Sequence, residues 1–192
     1  MIHTLLKRKK VILASASPRR KEIFRLIGIK ALQMPAFIDE SITVQNPIKL
    51  VKEHSFCKAE KIGRNVDSDC LVVAADTIVF LDKKILGKPA DTFQAIEYLT
   101  NLSGKFHYVY TGIALNYKNN IKVGYEKTGV EFHKISTQEI DDYLKTKEPF
   151  DKAGAYGIQG YGSQFIRKIS GCYFNVMGFP ISLFYSMLKE LL

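Results

Sequence analysis

The chain has few of the residues that build covalent or metal-bound frameworks. Its 192 residues include three cysteines, at 57, 70 and 172, with no C-x-x-C pair and no Cys/His ligand spacing. Neither a disulfide scaffold nor a zinc site is supported. The histidines, His3, His54, His107 and His133, stand isolated, and such residues are more often structural or superficial than ligands. Long apolar runs are missing too. The most apolar stretch, Cys70–Leu81, is broken by Asp76 and is too short to span a bilayer. The run Lys7–Lys10 imitates the start of a signal peptide, but Ser17-Pro18-Arg19-Arg20 cuts the following apolar segment short. It reads as a solvated lead-in to the first strand. No repeat, low-complexity segment or linker divides the chain. The expectation is a soluble, cytoplasmic protein with no membrane partner.

Acidic residues are in the minority. Lysine and arginine number 28 against 19 aspartates and glutamates, a formal charge of +9. That excess favours an anionic partner without choosing between nucleic acid, a membrane surface and a small phosphate ester. A hydrophobic content of 46% with 24% charged residues excludes a disordered chain.

The densest chemistry lies in V-I-L-A-S-A-S-P-R-R-K-E-I-F-R-L-I-G, residues 11–28. Val11–Ala14 reads as a short buried strand. Ser17 suits a helix N-cap, Pro18 the first helical position and Gly28 the stop. Ser15, Ser17, Arg19 and Arg20 therefore gather at a helix N-terminus, where unpaired N–H groups favour anions. The residues alone fit a phosphate receptor or an ordinary capped helix about equally.

Further along, Lys30–Asp39 reads as a second strand leading to Glu40. Pro47 opens a helix to about Ile62, with an apolar face of Val51, Phe56, Ala59 and Ile62. Cys70–Ala75 is the strongest strand, ending on Asp76-Thr77. Ile78–Leu81 and Lys84–Leu86 read as a hairpin about Asp82-Lys83, followed by the tight loop Gly87-Lys88-Pro89. Asp91–Gln94 resembles a capping box ahead of a stripe of Phe93, Ile96, Leu99 and Leu102. Phe106–Tyr117 and Ile121–Ile135 form a hairpin. Ser136–Glu139 is a second capping box. Glu148–Gly162 reads as a shaped loop, Phe165–Ile169 and Tyr173–Val176 as a closing strand pair, and Pro180 opens the last helix. This order predicts an α/β domain with a mixed sheet.

Lys58 and Lys88 can add cations to the phosphate receptor, and Glu40 and Asp76 add carboxylates at predicted strand ends. Phosphoryl chemistry uses such a set: cations for developing charge, carboxylates for Mg²⁺ or for activating water. Each residue also has an ordinary explanation as a loop acid, strand cap, solvated helix residue or turn lysine, and spacing alone does not assemble them.

Assembled in order, the motifs resemble the Maf (septum-formation-inhibitor-like) family of nucleoside triphosphate pyrophosphatases. They are S-A-S-P-R-R-K-E (15–22), I-D-E (38–40), K-A (58–59), V-V-A-A-D-T-I-V (72–79), L-G-K-P (86–89), H-Y-V-Y-T-G (107–112), E-P-F-D-K-A-G-A-Y-G-I-Q-G (148–160) and N-V-M-G-F-P (175–180). The resemblance covers nearly the whole chain. It implies one Maf-like domain over 1–192, with an elongated, twisted, mixed β-sheet flanked by helices, Maf/ITPase-like, in two lobes with a cleft between them. It implies Asp76 as the proton acceptor that activates water, Glu40 and Asp76 at the metal-bearing site with Mg²⁺ or Mn²⁺, and Lys58 and Lys88 as active-site lysines. Ser15, Ser17 and Arg20 would bind the substrate; Arg19, Thr77 and Gln159 match positions linked to base choice. The implied reaction splits a nucleoside triphosphate into monophosphate and pyrophosphate. G-I-Q-G at 157–160 resembles the branch acting on dTTP, UTP and modified pyrimidine triphosphates. A homodimer is compatible with the resemblance, and no stable nucleic-acid partner is expected. Lys105, where arginine is frequent, and Ser55, where alanine is frequent, are mild departures.

Two other readings stand beside this one. A 7-methyl-GTP or ITP/XTP pyrophosphatase would run the same chemistry on another base. A non-catalytic nucleic-acid-binding regulator of cell division would use the +9 charge, but no recognition helix or RNA-binding signature is present and Glu40 and Asp76 would repel its ligand.

Overall fold

Alternation along one long strand organises the architecture. In the computed structural model, which describes residues 1–42 and 44–192, that strand is β3 (Leu71–Leu81). Before it come α1 (Ile2–Leu5), β1 (Val11–Leu13), α2 (Pro18–Leu26), β2 (Ala31–Gln33) and α3 (Pro47–Gly63). After it come β4 (Lys84–Leu86), α4 (Thr92–Leu102), β5 (Phe106–Tyr117), β6 (Asn120–Phe132) and α5 (Thr137–Lys145). Three 3-10 turns (Glu148–Asp151, Ala153–Ala155, Gly160–Phe165) then lead to β7 (Ile166–Ser170), α6 (Tyr173–Val176) and α7 (Ile181–Leu191).

Among the described residues seven strands make one mixed sheet in the order β2-β1-β3-β5-β6-β7, with β4 also on β3. β1 pairs parallel with β2 and β3, and the other pairings are antiparallel. Successive side chains of β3 point to opposite faces. Leu71, Val73 and Ala75 join a core with Ile23 and Phe24 of α2 and Phe184 and Leu188 of α7. Val79 and Leu81 continue on that face beneath Leu99 and Leu102 of α4 and Ile140 and Tyr143 of α5. On the opposite face Val72 and Ala74 pack on Ala59 and Ile62 of α3, and Ile78 on its Leu50 and Val51. A mixed sheet flanked by helices is therefore observed.

Local signals act as their chemistry dictates. Ser17 caps α2 by accepting from the Arg20 N–H, with Pro18 in the first turn. Ser136 and Glu139 form the reciprocal capping box of α5. Asp91 caps α4 through the Gln94 N–H, while the Gln94 side chain accepts from Ala90 instead of closing the box on Asp91.

Several expectations are corrected. The strand predicted to end at Ala75 runs on to Leu81, so Asp76 lies in mid-strand, held there by charged partners that a polar residue in a sheet requires. The second strand is only Ala31–Gln33, and Glu40 belongs to an irregular stretch. Tyr173–Val176 is a helical turn, not a strand; tertiary packing overrides its β-rich composition. Phe93 is 83% exposed and Phe56 36% exposed, so neither is core. Ala95, Tyr98, Leu99 and Leu102 form the buried face of α4.

The edge of β3 opposite β5 is shared. β1 pairs with its residues 71–73 and β4 with 79–81. Between them residues 74–78 have no strand neighbour on that side among the described residues, and Asp76 and Thr77 fall in this gap.

Candidate active site

A cavity of about 920 Å³ opens at the gap. It lies past the C-terminal end of β1, where open sheets with parallel strands place their ligands. The turn after β1 supplies Ser15 and Ser17, α2 supplies Arg19 and Arg20, α3 His54 and Lys58, and β3 Asp76 and Thr77. Loops add Glu40, Lys88, Asp151 and Lys152.

Parity on β3 sends Asp76 and Thr77 to opposite faces. Asp76 faces α3. Its strand neighbour on β5 is Gly112, where any Cβ would lie 2.1 Å from the Val51 carbonyl oxygen. That missing side chain lets the α3 backbone lie close to the sheet. One turn further along α3, His54 Nδ1 sits 3.1 Å from Asp76 Oδ2, and Lys58 Nζ donates to Oδ1 at 2.7 Å. Lys58, only 5% exposed, also reaches Glu40 Oε1 at 2.6 Å, while Lys88 Nζ lies 3.4 Å from Glu40 Oε2. Burial would raise the Asp76 carboxyl, but the His54 hydrogen bond and the Lys58 charge outweigh it and bring its pKa to about 2. Burial also opposes ionisation of Glu40, and Lys58 again wins, lowering it. The hydrogen bond to Asp76 raises the His54 imidazole above its ordinary value.

Thr77 faces the other side. Its hydroxyl accepts from Arg20 Nη2 and lies 3.0 Å from that of Thr111, which donates to the Asn175 carbonyl. The buried Arg20 also donates through Nε to Gly178 O and through Nη1 to Ser15 Oγ. Three of its five N–H groups are thus used on neutral acceptors, and among the described residues the other two have no partner and no carboxylate pairs with it directly. Arg19 donates to Asp151 Oδ2 and to the Asp151 carbonyl.

The structure therefore brings Ser15, Ser17, Arg19, Arg20, Glu40, Lys58, Asp76, Thr77 and Lys88 to one cavity. Gln159 is not among its lining residues, although its neighbours Gly157 and Ile158 are. His54, Asp151 and Lys152 were missed from sequence. For His54 a signal existed: it precedes Lys58 by four residues, which puts both on one helix face. No group of three or more His, Cys, Asp or Glu side chains gathers for a metal among the described residues, and no described helix is long and apolar enough to cross a membrane.

The family model described as Maf-like protein matches residues 10–191. A relative from Thermosipho africanus named dTTP/UTP pyrophosphatase is 46% identical over 181 residues, 94% of this chain and 93% of its own length. One of the same name from Bacillus cereus is 45% identical over 183 residues, 95% of this chain and 90% of its own. A solved structure of a HAM1 protein from Coxiella burnetii aligns over 82% of this chain and 80% of its own at 17% identity, with a TM-score of 0.45.

Proposed function

This chain belongs to the Maf-like protein family, and on that footing we propose that it is a nucleoside triphosphate pyrophosphatase acting on dTTP and UTP. The observation that carries the chemistry is the buried Asp76 carboxylate, held at one oxygen by His54 and at the other by Lys58, in a cavity that also presents Arg19, Arg20 and Lys88.

In this reading residues 1–192 act as one domain, and the cavity is the cleft between two lobes. The triphosphate enters with its phosphates toward Arg19, Arg20, Lys58 and Lys88. A water oxygen bonds to phosphorus, the P–O bond of the α–β bridge breaks, and the water's proton passes to Asp76. The bridging oxygen departs with the pyrophosphate, whose growing charge the cations stabilise. A carboxylate with a pKa of about 2 is ionised at neutral pH but is a weak base. As substrate binds, Lys58 can move from Asp76 to a phosphate oxygen, and what would let so weak a base take the proton is a water acidified by a divalent cation at the site.

The donor set suits a hard divalent cation. Glu40 and Asp76 offer carboxylate oxygens around a single ammonium, and Mg²⁺ commonly takes one or two carboxylates together with substrate phosphates instead of a full protein cage. Bound there, Mg²⁺ or Mn²⁺ would neutralise phosphate charge and acidify water. Glu40 and Asp76 would hold it, with Lys58 displaced toward the phosphates. Thr77, Arg19 and Gln159 are taken as the residues that set base choice, Arg19 indirectly, by fixing the phosphates and so where the base lies; for Gln159 this requires its side chain to approach the cavity when a base is present.

The test is pyrophosphate release from a panel of triphosphates with Mg²⁺ or Mn²⁺, wild type beside Asp76→Asn. Turnover of dTTP and UTP, lost in the variant, supports the reaction and the role of Asp76. Turnover confined to 7-methyl-GTP or ITP keeps the chemistry and sinks the pyrimidine assignment. Folded protein that turns over nothing sinks the function.

A further inference from the structure

The loop bearing the second 3-10 turn contributes a lysine that neither motif spacing nor the catalytic cluster used. Lys152 lines the cavity with its side chain only 11% exposed. Its stem lies across Gly157, where an added Cβ would meet Lys152 Cε at 2.7 Å. The missing side chain at 157 thus makes the seat for this lysine. Its ammonium donates to the Glu148 carbonyl at 2.7 Å and to Asp151 Oδ1 at 2.6 Å. The other Asp151 oxygen takes Arg19 Nη1 at 2.9 Å. One carboxylate thus bridges two cations that line the cavity, Arg19 of α2 and Lys152 of its own loop.

The carboxylates in this cavity are not equivalent. Asp76 is buried and Glu40 shares Lys58 with it, whereas the Asp151 side chain is 56% exposed. Its cationic partners are more covered, Arg19 at 24% and Lys152 at 11%, but the carboxylate itself faces solvent and can turn away from them into water without being desolvated. The loop has a second anchor in the Glu148 carboxylate, which accepts from the Tyr143 hydroxyl and from the Tyr161 and Gly162 N–H groups.

We propose that Arg19 and Lys152 form a second phosphate-binding arm of the cavity, and that Asp151 is an internal counter-anion that a polyphosphate displaces. The proposal rests on the pyrophosphatase reading for its ligand class, a nucleoside polyphosphate or its pyrophosphate product. Arriving phosphate oxygens take over the bonds that Asp151 makes to Arg19 and Lys152, and the carboxylate turns out to solvent. Asp151 then opposes binding, and its charge sets how readily pyrophosphate leaves.

The experiment titrates inorganic pyrophosphate into the full chain by calorimetry, comparing wild type, Asp151→Asn, Asp151→Glu, Lys152→Met and the double variant Asp151→Asn/Lys152→Met. Removing one negative charge about 5 Å from a bound anion is expected to tighten binding by roughly three- to tenfold in Asp151→Asn. Asp151→Glu keeps the charge and stays near wild type. Lys152→Met weakens binding, and in that background Asp151→Asn yields a smaller gain. Unchanged or weaker binding by Asp151→Asn, with a wild-type melting temperature, overturns the proposal, because a purely structural Asp151 would weaken the arm when neutralised. Equal gains with and without Lys152 overturn the part assigned to that lysine. The readout is equilibrium binding, so failure to hydrolyse any triphosphate, which would sink the function, is seen separately in the turnover assay.

Discussion

His54 of α3 and Asp76 of β3 stand 22 positions apart in the sequence and meet at 3.1 Å, Nδ1 to Oδ2, both buried. The contact pins the carboxylate plane that Lys58 holds at its other oxygen. On the proposed mechanism it leaves Asp76 one arrangement in which to receive the water's proton.

Removing that contact should therefore lower kcat more than it alters KM. A hydrogen bond to a buried charge is worth about 1.5–3 kcal/mol, so His54→Ala is expected to lose roughly ten- to a hundredfold in kcat on dTTP. His54→Asn, which can still donate, should recover part of it. Steady-state kinetics with both variants checks this; wild-type kcat in His54→Ala would show that Lys58 alone orients the base.

Gly112 should tolerate no side chain. In Gly112→Ala the new carbon would lie 2.1 Å from the Val51 carbonyl oxygen, so α3 must shift. Overpacking of this kind costs about 1–3 kcal/mol. Denaturant unfolding should show that loss, with kcat falling as His54 and Lys58 move off Asp76. Gly87→Ala, whose added carbon meets nothing within 4 Å, should keep wild-type stability. Equal stability of the two variants would contradict the account.

Acid stability should carry the signature of His107. This residue is 1% exposed, its Nε2 lies 2.8 Å from the Tyr156 hydroxyl, and burial depresses its pKa to about 3. An unfolded chain binds a proton there near pH 6.5 and the folded chain does not. The stabilising contribution is complete above about pH 6.5 and declines as pH falls toward 3, with a limiting slope of about 1.4 kcal/mol per pH unit. His54, raised in the fold, acts with the opposite sign near and above pH 6.5. Unfolding free energies of wild type and His107→Gln between pH 6 and 4.5 isolate the term. The variant should be flatter, and parallel curves would refute it.

Chelation tests the cation. Excess EDTA should abolish pyrophosphate release from dTTP, and Mg²⁺ or Mn²⁺ should restore it. In Glu40→Gln, half-maximal activity should need about tenfold more cation. Full turnover in EDTA would remove the metal from the reading.

What could be read from the chain in advance was chemistry confined to a few adjacent residues. The Ser17-Pro18 cap, the Ser136–Glu139 box and the β5–β6 hairpin act within a turn or two, and they stand as expected. The motif residues from Ser15 to Lys88 were legible as candidates because each sits next to a recognisable local feature, while the fold brings them to one cavity. The spacing of His54 to Lys58 was legible, but its pairing with Asp76 was not, because it crosses an α3–β3 contact that the sheet register and Gly112 create. The continuation of β3 through Asp76 was hidden for the same reason. A charge in a strand reads as an end unless its partners are known. Asp151 and Lys152 looked like ordinary loop charges until the fold set Arg19 opposite them.

The recess in β3 between β1 and β4 has a consequence for how the protein behaves in company. Unpaired strand edges are templates on which other chains aggregate, and proteins commonly guard them with charge, bulges or covering elements. Here the open stretch is five residues long, closed at both ends by paired strands of the same sheet, and faced by cations. A foreign strand has no room to extend along it and meets charge if it tries. The molecule can keep strand backbone open beside the buried Asp76 carboxylate without offering that backbone to its neighbours.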